Sequence, residues 1–194
     1  SLKASDFTKN FLGKPIISYT IQAAIKSNLF DLVIVSTDDN HIAEISKSYG
    51  AKVPFLRSKQ NASDFSTTFD VIDEVISVLK KDNQLYEYCC CIYPCAPFVT
   101  SNKLEKSYNK FRSNNYDSFF PVVKYGHPIQ RAINLDEKGF IKSFNSETIK
   151  SRSQDLENYY HDAGQFYWFK IDSIIKQKQL ITPLSGCFVV SELE

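Results

Sequence analysis

Leu32-Val33-Ile34-Val35-Ser36-Thr37-Asp38-Asp39 is the stretch that decides the fold class of this chain. Its first four residues are continuously apolar, as in a short strand covered on both faces, and the polar residues after them mark that strand's carboxyl end. Apolar residues recur at helical spacing on either side, from Ile17 to Ile25 and from Ile42 to Tyr49. The stretch therefore predicts a strand between two helices, which is the repeating unit of an α/β fold.

The same alternation continues along the chain. Apolar runs predict further strands at Tyr88–Tyr93, Asp117–Val123, Gly164–Phe169 and Gly186–Val190. Helical spacing predicts further helices at Thr67–Leu79, Leu104–Phe111 and Ile171–Ile175. Strands that alternate with helices of this length imply a mostly parallel sheet with right-handed crossovers. At 194 residues the chain has the length of one domain, so we predict a single α/β domain over residues 1–194.

One segment departs from the alternation. Ile129 to Leu135 and Phe140 to Phe144 read as two strands, and Asp136-Glu137-Lys138-Gly139 between them reads as a tight turn. This predicts an inserted β-hairpin arm within residues 127–150. Because a lone two-stranded ribbon is only marginally stable in water, we expect the arm to contact a second subunit.

Composition excludes several classes of protein. Hydrophobic residues make up 43% of the chain, too many for a disordered segment, and no apolar run is long enough for a membrane span. The formal net charge is +1, so no overall basic field predicts binding to nucleic acid. Any anionic ligand must therefore be held by local charge.

The five cysteines favour a structural interpretation. Cys89, Cys90 and Cys91 are consecutive in a predicted strand, whereas Cys95 and Cys187 are isolated, and no spacing is typical of a metal site. Buried thiols without disulfides fit a reducing cytoplasm, where we expect the protein to reside.

Four polar groups follow predicted strands, where ligands bind in open α/β sheets. They are Ser36–Asp39, Arg57 with Ser63–Thr68, Tyr93–Pro97, and Arg152–Asp155 with His161–Gln165.

Each group has a structural interpretation beside the functional one. Asp38 and Asp39 could cap a helix or contact a ligand, and Thr67-Thr68 could begin a helix or, with Arg57, cradle phosphate or a pyrimidine edge. His161 beside Asp162 fits a structural or substrate-orienting role better than a catalytic dyad, since no elbow nucleophile accompanies it.

Arg152 has two interpretations on local sequence. A guanidinium is well shaped to bind a carboxylate, whereas a surface salt bridge to Asp155 or Glu157 is as well supported.

The chain resembles the acylneuraminate cytidylyltransferases, most closely their pseudaminic acid branch. The resemblance covers nearly all of Phe11 to Leu184 and rests on segments that match in order. These are Gly13–Ile17, Val35–Asp39, Gly50–Arg57 through Thr68, Ile92–Phe98, Pro128–Ala132 and Arg152–Leu156 through Tyr160–Trp168.

The resemblance implies a fold and an activity. The fold would be a Rossmann-like nucleotidyltransferase fold of three layers, and relatives form dimers through the inserted arm. The activity would be transfer of a cytidine monophosphate group from CTP to an acidic nine-carbon sugar, with Mg²⁺ as cofactor and pyrophosphate leaving. Charge on the phosphate oxygens would be stabilised by the metal and by basic side chains, with no covalent enzyme intermediate.

The resemblance also implies site residues. Those at nucleotide-contacting positions are Asp38, Arg57 and Thr68. Those at sugar-facing positions are Tyr93, Arg152, Gln154 and Gln165, with Arg152 holding the sugar carboxylate. Tyr93 stands where sialic acid relatives place a Gln, and the Asp that the eight-carbon-sugar branch would carry near Cys95 is missing. The first departure points to a nine-carbon sugar other than sialic acid, and the second weighs against the eight-carbon sugar.

Two family elements have no match in these 194 residues. One is the Gly/Arg/Lys-rich loop that wraps the CTP phosphates, expected before Phe11, and the other is an Asp-x-Asp metal element, expected after Glu194. We therefore assign no catalytic residue and no metal ligand in the chain. Because Met is also absent, we expect the natural protein to contain further residues.

Two alternative functions stay open at this stage. The same scaffold could activate N-acetylneuraminic or legionaminic acid. A sugar-nucleotide-binding module that has lost its phosphate loop is the alternative that is not an enzyme.

Overall fold

Helices form where the apolar spacing predicts them. The computed structural model describes residues 4–63, 65–144, 147 and 151–193, with the side chains of residues 4 and 5 left aside. The helices are α1 (Ile16–Lys26), α2 (Asn40–Ser48), α3 (Thr68–Lys81), α4 (Ser101–Ser113) and α5 (Ile171–Gln177). Helix α1 begins directly after Pro15, and Gly50 follows α2 with φ of +98°. Pro15 is the N-cap residue of α1, and Gly50 adopts the left-handed φ that favours glycine after a helix end.

The strands carry the labels β1 to β9. They are β1 (Asn10–Phe11), β2 (Lys14–Pro15), β3 (Tyr88–Ile92), β4 (Ser118–Lys124), β5 (Ile133–Leu135), β6 (Ile141–Ser143), β7 (Tyr160–Asp162), β8 (Phe166–Lys170) and β9 (Ser185–Val190). Short β1, β2 and β7 were not predicted, since two or three residues give too little periodicity to detect.

The chain divides into two compact units. The first comprises Ser1–Phe120 and Gly164–Phe188, and the second comprises Pro121–Ala163 and Val189–Glu194. The predicted arm at 127–150 falls in the second unit, with residues 145, 146 and 148–150 outside the described part of the chain. A single domain over 1–194 stays a prediction.

The α/β class is confirmed, but the direction of the main strands differs from the mostly parallel sheet predicted above. In the first unit β8 pairs antiparallel with β3, from Tyr88 opposite Lys170 to Ile92 opposite Phe166, and antiparallel with the start of β4. Among the described residues no α-helix lies between β4 and β8, so their connection lacks the helical crossover that usually joins parallel strands.

The predicted strand at Leu32–Val35 forms one parallel bridge. Ile34 pairs with Lys52, the Val35 amide donates to the Lys52 carbonyl at 2.9 Å, and the Lys52 amide donates to the Val33 carbonyl at 2.8 Å. The extended run is therefore present as predicted, although its ladder is too short to count as a strand.

Strand β8 lies at the centre of the core of the first unit. Trp168 is 2% exposed, stacks on Phe30 with ring centroids 5.3 Å apart, and lies 4.9 Å from the ring of Tyr108. Its indole N–H donates to the Ser107 hydroxyl at 2.9 Å, which satisfies the one polar atom that this ring buries.

Strand β3 pairs with β8, and the side chain of its Cys90 packs against the same core. Burial raises the pKa of Cys89 and of Cys91 to about 12. All five cysteines are free, and these thiols stay protonated and unreactive near neutral pH. The structural interpretation of the cysteine run is confirmed.

The predicted hairpin forms in the second unit, although Ile129–Arg131, predicted as the start of its first strand, form a 3-10 helix after Pro128. Strands β5 and β6 pair antiparallel, with Ile133 opposite Ser143 and Leu135 opposite Ile141. The Asp136 carboxylate accepts from the amides of Lys138 and Phe140 at 2.9 Å each, and closes the turn. Apolar side chains of this hairpin are exposed, namely Ile133, Leu135, Phe140, Ile141 and Phe144.

Membrane insertion by a helix finds no support in the described residues, where no helix combines the length and the apolar character that a membrane crossing requires.

Candidate active site

The loop after Leu32–Val35 is held by its own side chains. The Thr37 hydroxyl accepts from the Asp39 amide at 3.1 Å. The Asp39 carboxylate accepts from the amides of His41 and Ile42 at 2.7 and 3.0 Å, so it caps α2. Asp38, the predicted nucleotide ligand, is exposed on this loop. The capping interpretation is thus correct for Asp39, and Asp38 remains available to a ligand.

Arg57 is fixed against the same loop. Its amide donates to the Thr37 carbonyl at 2.8 Å, its Nε donates to the Ser36 hydroxyl at 3.1 Å, and its Nη2 donates to the Ser36 carbonyl. A guanidinium carries five N–H donors, and these two side-chain bonds use two of them. Half-buried Arg57 is therefore oriented by the protein with donor capacity left for an anion.

Thr67 and Thr68 have different roles. The Thr67 hydroxyl accepts from the Asp70 amide at 3.2 Å, and the Asp70 carboxylate accepts from the Thr67 amide at 2.8 Å, which is a capping box. Hydrogen bonds from the side chain and the backbone of Thr67 lower the pKa of Asp70. Helix capping therefore explains the role of Thr67, but it does not explain that of Thr68. Asp64, in the same predicted group, lies outside the described residues.

Thr68, Tyr93 and Gln165 come together at one sheet edge of the first unit. The Thr68 and Tyr93 hydroxyls are 3.2 Å apart, and the Tyr93 amide donates to the Gln165 carbonyl at 2.9 Å. The β3–β8 register causes this meeting, because Ile92 lies opposite Phe166 and both site residues are their neighbours. Gln165 is 4% exposed. A predicted nucleotide residue thus contacts a predicted sugar residue directly.

Lys103 is a site residue that the sequence analysis missed. It lies in the first turn of α4, where its amide is capped by the Thr100 hydroxyl at 3.2 Å. Its Nζ donates to the Phe98 carbonyl at 3.0 Å and to the Gln165 side-chain oxygen at 3.4 Å. In the sequence, Lys103 could have been identified as a candidate by its position shortly after the Tyr93–Pro97 loop.

Arg152 and Gln154 belong to the second unit. Arg152 precedes the 3-10 turn Ser153–Asp155, and both predicted sugar residues are exposed. No ion pair among the described residues joins Arg152 to Asp155 or Glu157. The surface salt bridge weighed in the sequence analysis is therefore absent from this segment, and a sugar contact remains the prediction for both residues.

His161 makes a structural contact in the second unit. Its Nδ1 lies 2.9 Å from the Asp162 backbone carbonyl, to which it must donate, and its ring centroid is 5.0 Å from that of Tyr125. The contact satisfies the ring nitrogen with the backbone. A structural role therefore accounts for this geometry without a catalytic dyad.

The described residues do not form a metal site. No group of three or more His, Cys, Asp or Glu side chains among them could hold an ion. Because Mg²⁺ in nucleotide sites is usually bound by one or two carboxylates together with the substrate phosphates, Mg²⁺ as cofactor stays a prediction.

One cavity of the first unit lies away from Thr68, Tyr93 and Gln165. It measures about 600 Å³, and its lining includes Lys52, Val53, Leu79 and Gln84. Thr68, Tyr93 and Gln165 do not line this cavity, and their site is defined by its hydrogen bonds.

The fold is that of nucleotidyltransferases. CMP:2-keto-3-deoxy-manno-octonic acid synthetase complexed with CTP superposes with a TM-score of 0.69 at 14% identity, over 98% of this chain and 85% of that chain. 4-Diphosphocytidyl-2C-methyl-D-erythritol synthase from Anaerococcus prevotii gives 0.61 at 13% identity, over 97% and 84%. These similarities support the Rossmann-like α/β fold class.

The chain belongs to the cytidylyltransferase family, whose model matches residues 8–184. It is 39% identical over 181 residues to pseudaminic acid cytidylyltransferase of Campylobacter jejuni, covering 93% of this chain and 78% of that protein. N-acylneuraminate cytidylyltransferase of Escherichia coli is 27% identical over 80% of this chain and 36% of that protein. CMP-N,N'-diacetyllegionaminic acid synthase of Legionella pneumophila is 40% identical over 47% and 39%.

Proposed function

We propose that this cytidylyltransferase activates pseudaminic acid with CTP and releases CMP-pseudaminic acid and pyrophosphate. The observation that carries the proposal is the contact between the Thr68 and Tyr93 hydroxyls, 3.2 Å apart. Thr68 is the proposed nucleotide contact and Tyr93 the proposed sugar contact. Two substrates bound at adjoining positions can react directly, because positioning alone supplies much of the rate of such a transfer.

The proposed reaction is a direct phosphoryl displacement. The anomeric hydroxyl of the sugar attacks the α-phosphorus of CTP, the new bond joins that oxygen to phosphorus, and the bond from phosphorus to the bridging oxygen breaks. The hydroxyl proton passes to solvent, and the electron pair leaves with pyrophosphate. Arg57 supplies oriented N–H donors and positive charge to the nucleotide, with Asp38 beside it. Tyr93 and Gln165 hold the sugar.

The choice of sugar is proposed from similarity and from Tyr93. The relative from Campylobacter that matches 93% of this chain carries pseudaminic acid in its name, whereas the sialic acid and legionaminic acid relatives match less of it. A phenol at position 93 offers one hydroxyl with a single O–H donor, whereas an amide would offer two N–H donors and a separate carbonyl acceptor. N-acetylneuraminic and legionaminic acid are the alternative substrates.

Pyrophosphate release from CTP tests the proposal. Each of the three sugars would be supplied in turn, with and without Mg²⁺, which we propose as cofactor, and the product would be identified by mass. Release with pseudaminic acid above the other two supports the proposal. Preference for another sugar contradicts the substrate, and CTP binding without turnover would favour a binding module. We propose the cytoplasm as the place of this reaction, because the five free cysteines fit a reducing compartment.

Replacing Arg152 with lysine should impair use of the sugar more than use of CTP. Lysine keeps the charge but cannot donate two parallel hydrogen bonds to the sugar carboxylate. Charge-assisted bonds contribute about 1.5–3 kcal/mol, so kcat/KM for the sugar should fall by about ten- to a hundredfold. Steady-state kinetics with each substrate varied in turn gives the answer. Equal, small changes in kcat/KM for both substrates would contradict the sugar contact proposed for Arg152.

We propose that the protein is a homodimer joined through the β5–β6 hairpin. In a monomer this hairpin would expose the apolar side chains of Ile133, Leu135 and Phe140 to water. A two-stranded hairpin by itself is also only marginally stable. Changing Leu135 and Ile141 to Lys should produce monomers in light scattering, whereas changing the exposed Leu85 of the first unit to Lys should not. A monomeric wild-type protein with full activity would contradict this proposal.

A further inference from the structure

The loop that follows Arg57 is tied to helix α3 by one carboxylate. Glu74 Oε1 accepts from the Ser58 amide at 3.0 Å, and Glu74 Oε2 accepts from the Asn61 side-chain amide at 3.0 Å. The Asn61 amide also reaches the Asp70 carbonyl at 3.4 Å. Both carboxylate oxygens are therefore used to hold two points of the same loop.

Arg57 lies between two fixed peptide groups as a result. On one side its own amide donates to the Thr37 carbonyl at 2.8 Å, and on the other the next amide, that of Ser58, donates to Glu74. A residue whose neighbouring peptides are both anchored has little freedom in φ and ψ, so its side chain starts from a fixed point. The Arg57 guanidinium then reaches Ser36 with two donors.

The electrostatics keep Glu74 in the form this role requires. Burial by itself raises the pKa of Glu74, but the hydrogen bonds from Asn61 and Ser58, together with the charge of Arg57, lower it overall. The carboxylate is thus ionised near neutral pH and accepts both bonds. No ion pair between Glu74 and Arg57 is described, so the carboxylate does not occupy the guanidinium directly.

We infer that Glu74 is a positioning residue for the nucleotide, acting through the Ser58 amide to hold Arg57 in the orientation that binds the phosphates or base of CTP. The inference rests on the proposed function, in which Arg57 contacts CTP. Glu74 itself does not touch the substrate, and its effect should therefore be confined to CTP and require Arg57.

The test is calorimetric binding of CTP to the full chain in four forms: wild type, Glu74→Ala, Arg57→Ala and the double variant. Loss of the anchor should raise the Kd for CTP about tenfold in the wild-type background. Glu74→Ala should change the Kd for CTP less than about twofold when Arg57 is already alanine. The effects of two substitutions do not add when one residue acts through the other.

Two control variants separate positioning from stability. Glu74→Gln keeps an oxygen acceptor for the Ser58 amide, so it should restore CTP affinity to within about threefold of wild type. Asp73→Ala removes the neighbouring carboxylate of the same helix and should leave CTP affinity unchanged. Thermal unfolding followed by Trp168, the sole tryptophan of the chain, reports whether any variant is less folded.

The outcomes distinguish this inference from the proposed function. If wild type binds CTP and Arg57→Ala weakens it, but Glu74→Ala does not, the positioning role alone is overturned. An equal loss in both Arg57 backgrounds also overturns it, because the effect would then bypass Arg57. A wild-type protein that binds no CTP overturns the proposed function and this inference together.

Discussion

Replacing Arg57 with alanine should reduce kcat/KM for CTP by about 10²–10⁴-fold. The guanidinium is oriented by two hydrogen bonds to Ser36 and by its backbone bond to Thr37, so it meets the nucleotide without first being ordered. Two charge-assisted bonds to an anionic substrate contribute about 3–6 kcal/mol together, which converts to that range. KM for the sugar should change little.

Lysine at position 57 and a distant arginine provide the controls for this prediction. Arg57→Lys retains the positive charge but loses the paired N–H donors of the guanidinium. Its kcat/KM for CTP should therefore lie between those of wild type and Arg57→Ala. Arg112 lies on α4 with its guanidinium 3.9 Å from the centre of the Tyr88 ring, and Arg112→Ala should leave CTP kinetics unchanged. If Arg57→Ala kept kcat/KM for CTP within about threefold of wild type while folded, the nucleotide role of Arg57 would be wrong.

Replacing Trp168 with alanine should destabilise the protein by about 3–5 kcal/mol, the cost typical of deleting a buried aromatic side chain. Trp168 is 2% exposed, and its indole fills the space among Phe30, Tyr108 and Phe111 on the central strand β8. For a chain of this size each kcal/mol lowers Tm by about 2–4 °C, so the midpoint should fall by about 6–20 °C. The midpoint should be measured by circular dichroism, because the variant lacks the tryptophan whose fluorescence would otherwise report unfolding.

Two control variants, Trp168→Phe and Phe65→Ala, show how much of the loss of stability comes from the buried indole. Trp168→Phe keeps most of the apolar volume and loses the bond to Ser107, so its cost should be well below that of alanine. Phe65 is 95% exposed, and Phe65→Ala should lie within about 0.5 kcal/mol of wild type. Similar midpoints for Trp168→Ala and Phe65→Ala would contradict the packing described for β8.

Local pattern was enough to place most secondary structure. The apolar spacing between Ile17 and Ile25 predicted α1, and Asp136-Glu137-Lys138-Gly139 predicted the turn between β5 and β6. These features depend on neighbours within one or two turns of backbone, so the sequence carries them in full. The family resemblance came from the same kind of contiguous motif.

Partners that are distant in sequence were not predictable. Lys103 reaches Gln165 across 62 positions and Thr68 reaches Tyr93 across 25, and no periodicity encodes such distances. The sequence analysis did not single out Glu74, because its bonds to Ser58 and Asn61 exist only once the loop folds back on α3.

The sequence by itself determined the α/β class, the positions of the helices, the turn of the hairpin and the candidate residues, because hydrophobic spacing, caps and turns act over short range. Only the tertiary structure decided that β8 runs antiparallel beside β3, since that direction depends on how the inserted segment returns the chain. That register in turn brings Tyr93 to Gln165, and long-range pairing of this kind is selected by the packing of the whole core around Trp168.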